Sequence, residues 1–171
     1  MGIMYNKSYK KHAWVILGMH RSGTSALANM LHEMGAIAPK DLLPPNEKNP
    51  KGYWESKPVM VLNDQIFSEL NSTWSSWRSL NLEEVPNETL AAAKERLRIT
   101  LGGVFEDLDN ALIKDPRFCR FFPILRDVLQ KEEVNPLPII IIRNPIEVAQ
   151  SLFNRGDMCV AEGGLLWLRY V

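Results

Sequence analysis

Two short stretches of the chain concentrate residue types that bind anions: Leu17-Gly18-Met19-His20-Arg21-Ser22-Gly23-Thr24-Ser25, and Arg143-Asn144-Pro145 with Ser151 eight residues after the arginine. In the first, Gly18 and Gly23 keep the spacing of a Walker phosphate loop, G-x-x-x-x-G-K-[ST], but Thr24 stands in the lysine position. A helix starting after Gly23 would present unpaired amides and the positive end of its dipole, which together favour an oxyanion. Thr24 and Ser25 add hydroxyls there, and Arg21 restores a cation. An ordinary turn into a helix is the plain alternative.

In the second stretch, Arg143 follows a β-branched run and so lies where the carboxyl end of a strand meets the ligand crevice of an open α/β sheet. Ser151 is two turns along the next helix, and Arg155 lies four residues further on the same face. A forked guanidinium and a hydroxyl can close on one phosphate, although an ion pair and a helix serine would account for each residue taken singly. Lys114 and Arg117, in "KDPRFCRFFP", either line the crevice or pair with Asp115 and nearby carboxylates. Trp54, Trp74 and Trp77 offer aromatic faces that suit sugars and apolar rings alike, or pack as core.

The elements needed to hold these residues can be read from the pattern. Ala13–Leu17 is a short apolar run ending at Gly18, a buried strand; Ala26, Leu27, Met30, Leu31 and Met34 then recur at helical spacing before Gly35. From Ala36 to Ser56, Pro39, Pro44, Pro45 and Pro50 predict a long irregular loop. Val59, Leu62, Ile66, Phe67 and Leu70 predict a helix, and "NSTWSSWRS" a second loop. Leu90 to Leu112 carries a long amphipathic pattern weakened at Gly102-Gly103, overlapping a possible strand at Ala111–Ile113. A helix through Leu125, Val128 and Leu129 follows. Leu137–Ile142 is apolar on both faces, which predicts a central strand with Pro138 at its start. Alternating strands and helices imply an α/β fold with a parallel sheet flanked by helices.

At 171 residues the chain suits one domain, 13–171, behind a basic N-terminal tail, 1–12, that includes Lys7, Lys10, Lys11 and His12. Twenty basic residues against twenty acidic give no pull toward nucleic acid. Cys119 and Cys159 have no metal-binding or C-x-x-C spacing, so no metal is expected and both are read as reduced thiols. The absence of an apolar run of about 18 residues or a signal-peptide pattern predicts a cytoplasmic chain without a membrane span. The sequons at Asn71 and Asn87 read as chance.

Taken together and in this order, "GMHRSGTS", "NPKGYWES", "KDPRFCRFFP" and "IIIIRNPIEVAQSL" resemble the bacterial-type sulfotransferases that use 3′-phosphoadenylyl sulfate (PAPS), over about Trp14 to Tyr170. The resemblance implies a three-layer P-loop-like fold. It implies that Arg21, Ser22, Gly23, Thr24 and Ser25 hold the 5′-phosphosulfate, and that Arg143 and Ser151, with Arg155, hold the 3′-phosphate. It also explains the missing Walker lysine, since no γ-phosphoryl group is transferred. Arg21 would assist the leaving oxygen, with Glu55 of the "GYWES" segment as base and His20 as the alternative base. Trp54, Lys114 and Arg117 would face a small-molecule or carbohydrate acceptor. Relatives continue with further helices, whereas the apolar pattern here runs uncapped to Val171, so a truncated member is expected. A P-loop kinase and a non-catalytic nucleotide-binding relative are the rival readings.

Overall fold

The computed structural model describes residues 9–171 apart from 48, 50 and 51. Lys7, Pro50 and Lys51 therefore lie outside the described residues. β1 (Lys11–Leu17) leads through the glycine loop into α1 (Thr24–Glu33), and the long loop that follows ends at α2 (Lys57–Glu69). After a short 3-10 turn at Leu82–Glu84 come α3 (Asn87–Val104), β2 (Ala111–Lys114), α4 (Phe118–Lys131), β3 (Val134–Ile140), α5 (Pro145–Arg155) and α6 (Val160–Tyr170). Among the described residues no helix is long and apolar enough to cross a membrane.

The three strands form a parallel sheet in the order β2-β1-β3, with helices on both faces. Strand alternation divides the core. Ala13, Val15 and Leu17 of β1 face a large cluster built with α2, α3 and α4, while Ile16 and Leu112 face Ala28 and Leu31 of α1. A third cluster, Met19, Val148, Leu152, Leu166 and Tyr170, fixes α5 and α6 beside the glycine loop. This is a three-layer α/β fold, and the carboxyl ends of its strands open on one side.

Three expectations need correction. β1 starts at Lys11, so Lys11 and His12 belong to the sheet and not to a tail. The Leu90–Leu112 pattern is not one helix: α3 stops at Val104, directly after Gly102-Gly103, and Leu112 belongs to β2. Two adjacent glycines cost the helix about 2 kcal/mol relative to alanine, and the chain leaves it at Phe105 with extended backbone.

Among the described residues β3, expected in the middle of the sheet, is an edge strand, and it also begins earlier, at Val134. Ile141 donates to the Leu17 carbonyl, so by alternation the backbone of Pro136, Pro138 and Ile140 faces the open edge. Prolines are tolerated there because no ladder donor is required of them. Ile140 and Ile142 are each 62% exposed, so the apolarity that suggested a central strand is left in solvent.

Proline acts again in α4, where Pro123 lies inside the helix and the backbone breaks at Phe121 (φ −144°, ψ 38°). The kink lets both Phe118 and Phe121 reach the core, edge-on to one another at 5.7 Å.

Candidate functional site

A cavity of about 610 Å³ lies at the carboxyl ends of the strands. Its first wall is the glycine loop. Gly18 lets that loop pass tight against β3: an added Cβ would stand 2.8 Å from the Ile141 carbonyl oxygen. Arg21 then takes a left-handed backbone (φ 69°), as does Gly23 (φ 95°), and α1 begins with no side-chain cap. The Gly23 carbonyl takes the Ala26 and Leu27 amides, and the amides of Thr24 and Ser25, which precede the first helical bonds, are left at a cavity lined by Gly23, Thr24 and Ser25. Ser22 does not join them. It is buried outside the lining, its amide bonded to the Met19 carbonyl and its hydroxyl without a partner.

The second wall joins the two sequence motifs directly. Arg21 Nε donates to Ser151 Oγ at 2.9 Å, and Arg143 Nη1 donates to the Arg21 carbonyl at 3.0 Å. Arg21 therefore reaches across to α5; Arg21 and Arg143 line the cavity, and Ser151, off the lining, holds the Arg21 guanidinium from behind. Arg143 also pairs with Glu147 at 2.8 Å, one turn on, and Arg155, on the cavity lining, pairs with Asp157. The Trp167 indole secures this wall by donating to the Arg143 carbonyl at 3.0 Å.

The floor is a buried charge cluster. Lys114, the last residue of β2, donates to Glu55 Oε1 at 2.5 Å, to the Tyr53 carbonyl at 2.8 Å and to Ser25 Oγ at 3.5 Å. The two paired side chains are only 2% and 7% exposed. Burial pushes the Glu55 carboxyl above its ordinary range, and the attraction of Lys114 works against that rise. Through Ser25 Oγ, Lys114 also brings a cation to the first turn of α1.

Arg117 lies 3.7 Å from Glu55 but is committed elsewhere. It binds Asp64 at 2.6 Å and Asp115 at 3.1 Å, and Asn63, fully buried, donates to Asp115 at 3.1 Å. Burial opposes its charge, yet Asp115, Asp64 and Glu55 more than offset this and hold its pKa up. Asp64 and Asn63 carried no signal of their own in the sequence, whereas Asp115, two residues before Arg117 in "KDPR", was one of the partners expected for it.

His20 lines the cavity between the rings of Trp74 (4.9 Å between centroids) and Tyr170 (5.7 Å). Part of the residue reaches the surface, but Nε2 is enclosed without a hydrogen-bond partner. Burial, reinforced by Arg117 and Lys114, holds its pKa well below 6.5. Beneath the loop, Cys119 Sγ accepts from the Gly18 amide at 2.9 Å, and burial raises that thiol to about 12.

The tryptophans separate. Trp74 lines the cavity. Trp54, with left-handed backbone (φ 59°), turns to the α1 side and packs on His32 at 5.0 Å, so Glu55 enters the cavity and its neighbour does not. Trp77 is 52% exposed and stands off the lining. Compared with family models, curated proteins and solved structures, the chain matches none of them.

Proposed function

We propose that the chain binds PAPS in this cavity and transfers its sulfuryl group to a hydroxyl or amine by in-line displacement. The observation that carries the reading is one cavity lined by the start of α1, by Arg21, Arg143 and Arg155, and by the buried Glu55–Lys114 pair. A donor with phosphates at both the 3′ and the 5′ position needs the first two of these. A nucleoside triphosphate, with its phosphates in one chain, needs only the first.

In this reading the free amides at Gly23, Thr24 and Ser25 hold the 5′-phosphosulfate. Arg143 and Arg21 hold the 3′-phosphate, with Arg155 beside them and Ser151 behind Arg21, which moves Arg21 from the role that loop spacing gave it. The acceptor O–H gives its proton to the Glu55 carboxylate as its oxygen bonds to sulfur. The S–O bond to the 5′-phosphate breaks, and its electron pair stays on the phosphate oxygen. Lys114 Nζ, held between Ser25 and Glu55, meets the charge that develops there, and a preorganised cation is worth most in such a water-poor site.

Glu55 is the better base of the two that the sequence offered, because its carboxylate lies against the lysine that would answer the leaving group, while His20 Nε2 is enclosed. The test is Arg143→Ala. Loss of a charge-assisted phosphate contact of about 1.5–3 kcal/mol weakens adenosine 3′,5′-bisphosphate about 10- to 150-fold, with adenosine 5′-phosphate affinity changed less than threefold. Equal losses for both ligands would refute a 3′-phosphate contact.

A further inference from the structure

We propose that the acceptor half of the cavity takes a hydroxyl carried on a flat apolar ring, a phenol or aryl alcohol, with Trp74 as the residue that selects it. The inference rests on the sulfuryl-transfer reading, since Glu55 marks where the reacting hydroxyl must stand. Lys114 and Arg117 bound Glu55 on one side of the cavity, and the same lining also carries an apolar group, Leu43, Pro44, Pro45 and Met60. The Leu43 amide donates to the Glu55 carbonyl at 2.8 Å, which lays Leu43, Pro44 and Pro45 beside the base, and Met60 enters from the first turn of α2. Trp74 supplies an aromatic wall.

The polar side chains on this side are spent on one another. Asn46 Oδ1 accepts from the Tyr53 hydroxyl at 2.8 Å and from the Asn49 amide at 3.0 Å, and Asn49 Nδ2 donates to the Gly52 carbonyl at 2.6 Å. A saccharide presents several hydroxyls that each need a partner when water is removed. Here the Asn46, Asn49 and Tyr53 side chains already bond one another or the backbone, and Leu43, Pro44, Pro45 and Met60 beside them offer apolar surface, which suits a ring with a single hydroxyl.

Trp74 is also held in position. Its carbonyl accepts from the Tyr170 hydroxyl at 2.7 Å, and the residues after it are clamped by Arg169 to the Trp77 carbonyl (2.7 Å) and by buried Arg120 to the carbonyls of Ser76 (2.8 Å) and Arg78 (2.7 Å). An aromatic platform on a backbone fixed at four carbonyls loses little freedom when a ring stacks on it.

The experiment loads the full chain with adenosine 3′,5′-bisphosphate and titrates it calorimetrically with 2-naphthol and, separately, with N-acetylglucosamine. The expected result is naphthol binding at least tenfold tighter than the sugar. Trp74→Ala should weaken naphthol about fivefold to tenfold and leave the bisphosphate affinity within twofold, while Trp74→Phe stays near wild type. Met60→Gln, which places an amide in the apolar wall, gives the same weakening and decides the matter if Trp74→Ala does not fold. Sugar binding as tight as naphthol, binding of neither to the loaded protein, or naphthol affinity unchanged in the variants would overturn the inference with the donor site intact. Failure of the bisphosphate to bind would remove the sulfuryl-transfer reading, and the inference with it.

Discussion

Replacing Lys114 by methionine keeps most of the volume of a side chain that is 2% exposed and removes the counter-charge of Glu55. Taking one partner from a buried ion pair costs about 3–5 kcal/mol, because the other charge remains in a medium that solvates it poorly. Glu55 has one escape, which is to accept a proton. Relative to an unfolded chain whose glutamate titrates at 4.5, that escape costs 1.36 kcal/mol per pH unit, about 4 kcal/mol at pH 7.5 and about 1.4 kcal/mol at pH 5.5. The lost donor to the Tyr53 carbonyl adds about 1 kcal/mol at either pH. The direction follows from linkage: below 4.5 both states hold the proton and no penalty arises, while above it only the folded state keeps the proton and the penalty grows with pH. Wild-type Glu55 already titrates above 4.5, so part of this dependence is shared. The destabilisation of Lys114→Met is therefore expected at about 4–5 kcal/mol at pH 7.5 and smaller by about 1–2.5 kcal/mol at pH 5.5. Urea unfolding of both proteins at the two pH values measures it. An equal loss at both, or a loss below about 1 kcal/mol at pH 7.5, would refute the reasoning that Lys114 and Glu55 form a buried, mutually dependent pair.

Glu55→Gln is expected to lower turnover about 10²- to 10⁴-fold, the usual worth of a positioned base, with donor affinity within twofold in the same preparation. Because burial raises the Glu55 carboxyl, wild-type turnover should climb with pH through a value above 4.5, and that acid limb should vanish in the variant. Gly18→Ala puts a Cβ 2.8 Å from the Ile141 carbonyl oxygen at a φ of 157°, and is expected to cost about 1–3 kcal/mol in a thermal melt. Gly23→Ala meets no atom within 4 Å, so its cost comes from the φ of 95° alone and should be smaller.

The sequence made the local elements legible because their signals are local. β1, α1 and α2 follow from apolar spacing and stop residues, and the cavity wall at Gly23–Ser25 follows from where a helix must start after a glycine turn. What it concealed depends on chain segments distant in sequence. The edge position of β3 is decided by which strands pair, and the isoleucine run outweighed the prolines that mark an open edge. The Arg21–Ser151 bond joins residues 130 positions apart, and Lys114 reaches Ser25 from 89 positions away, so neither contact could be read from loop spacing. Arg117 could be read either as lining the crevice or as pairing with a carboxylate; it does line the cavity, and its partner Asp64, 53 positions earlier, was out of reach of any local pattern. Trp54 and Glu55 are adjacent, and a single left-handed φ sends them to opposite sides.

The account depends most on there being two anion walls that bind one ligand at once. Calorimetric titration of the protein with adenosine 3′,5′-bisphosphate, adenosine 5′-phosphate and ATP tests this without knowledge of the acceptor. The account predicts the bisphosphate to bind at least tenfold tighter than either of the others. Equal affinity for the bisphosphate and adenosine 5′-phosphate, or a preference for ATP, would contradict it.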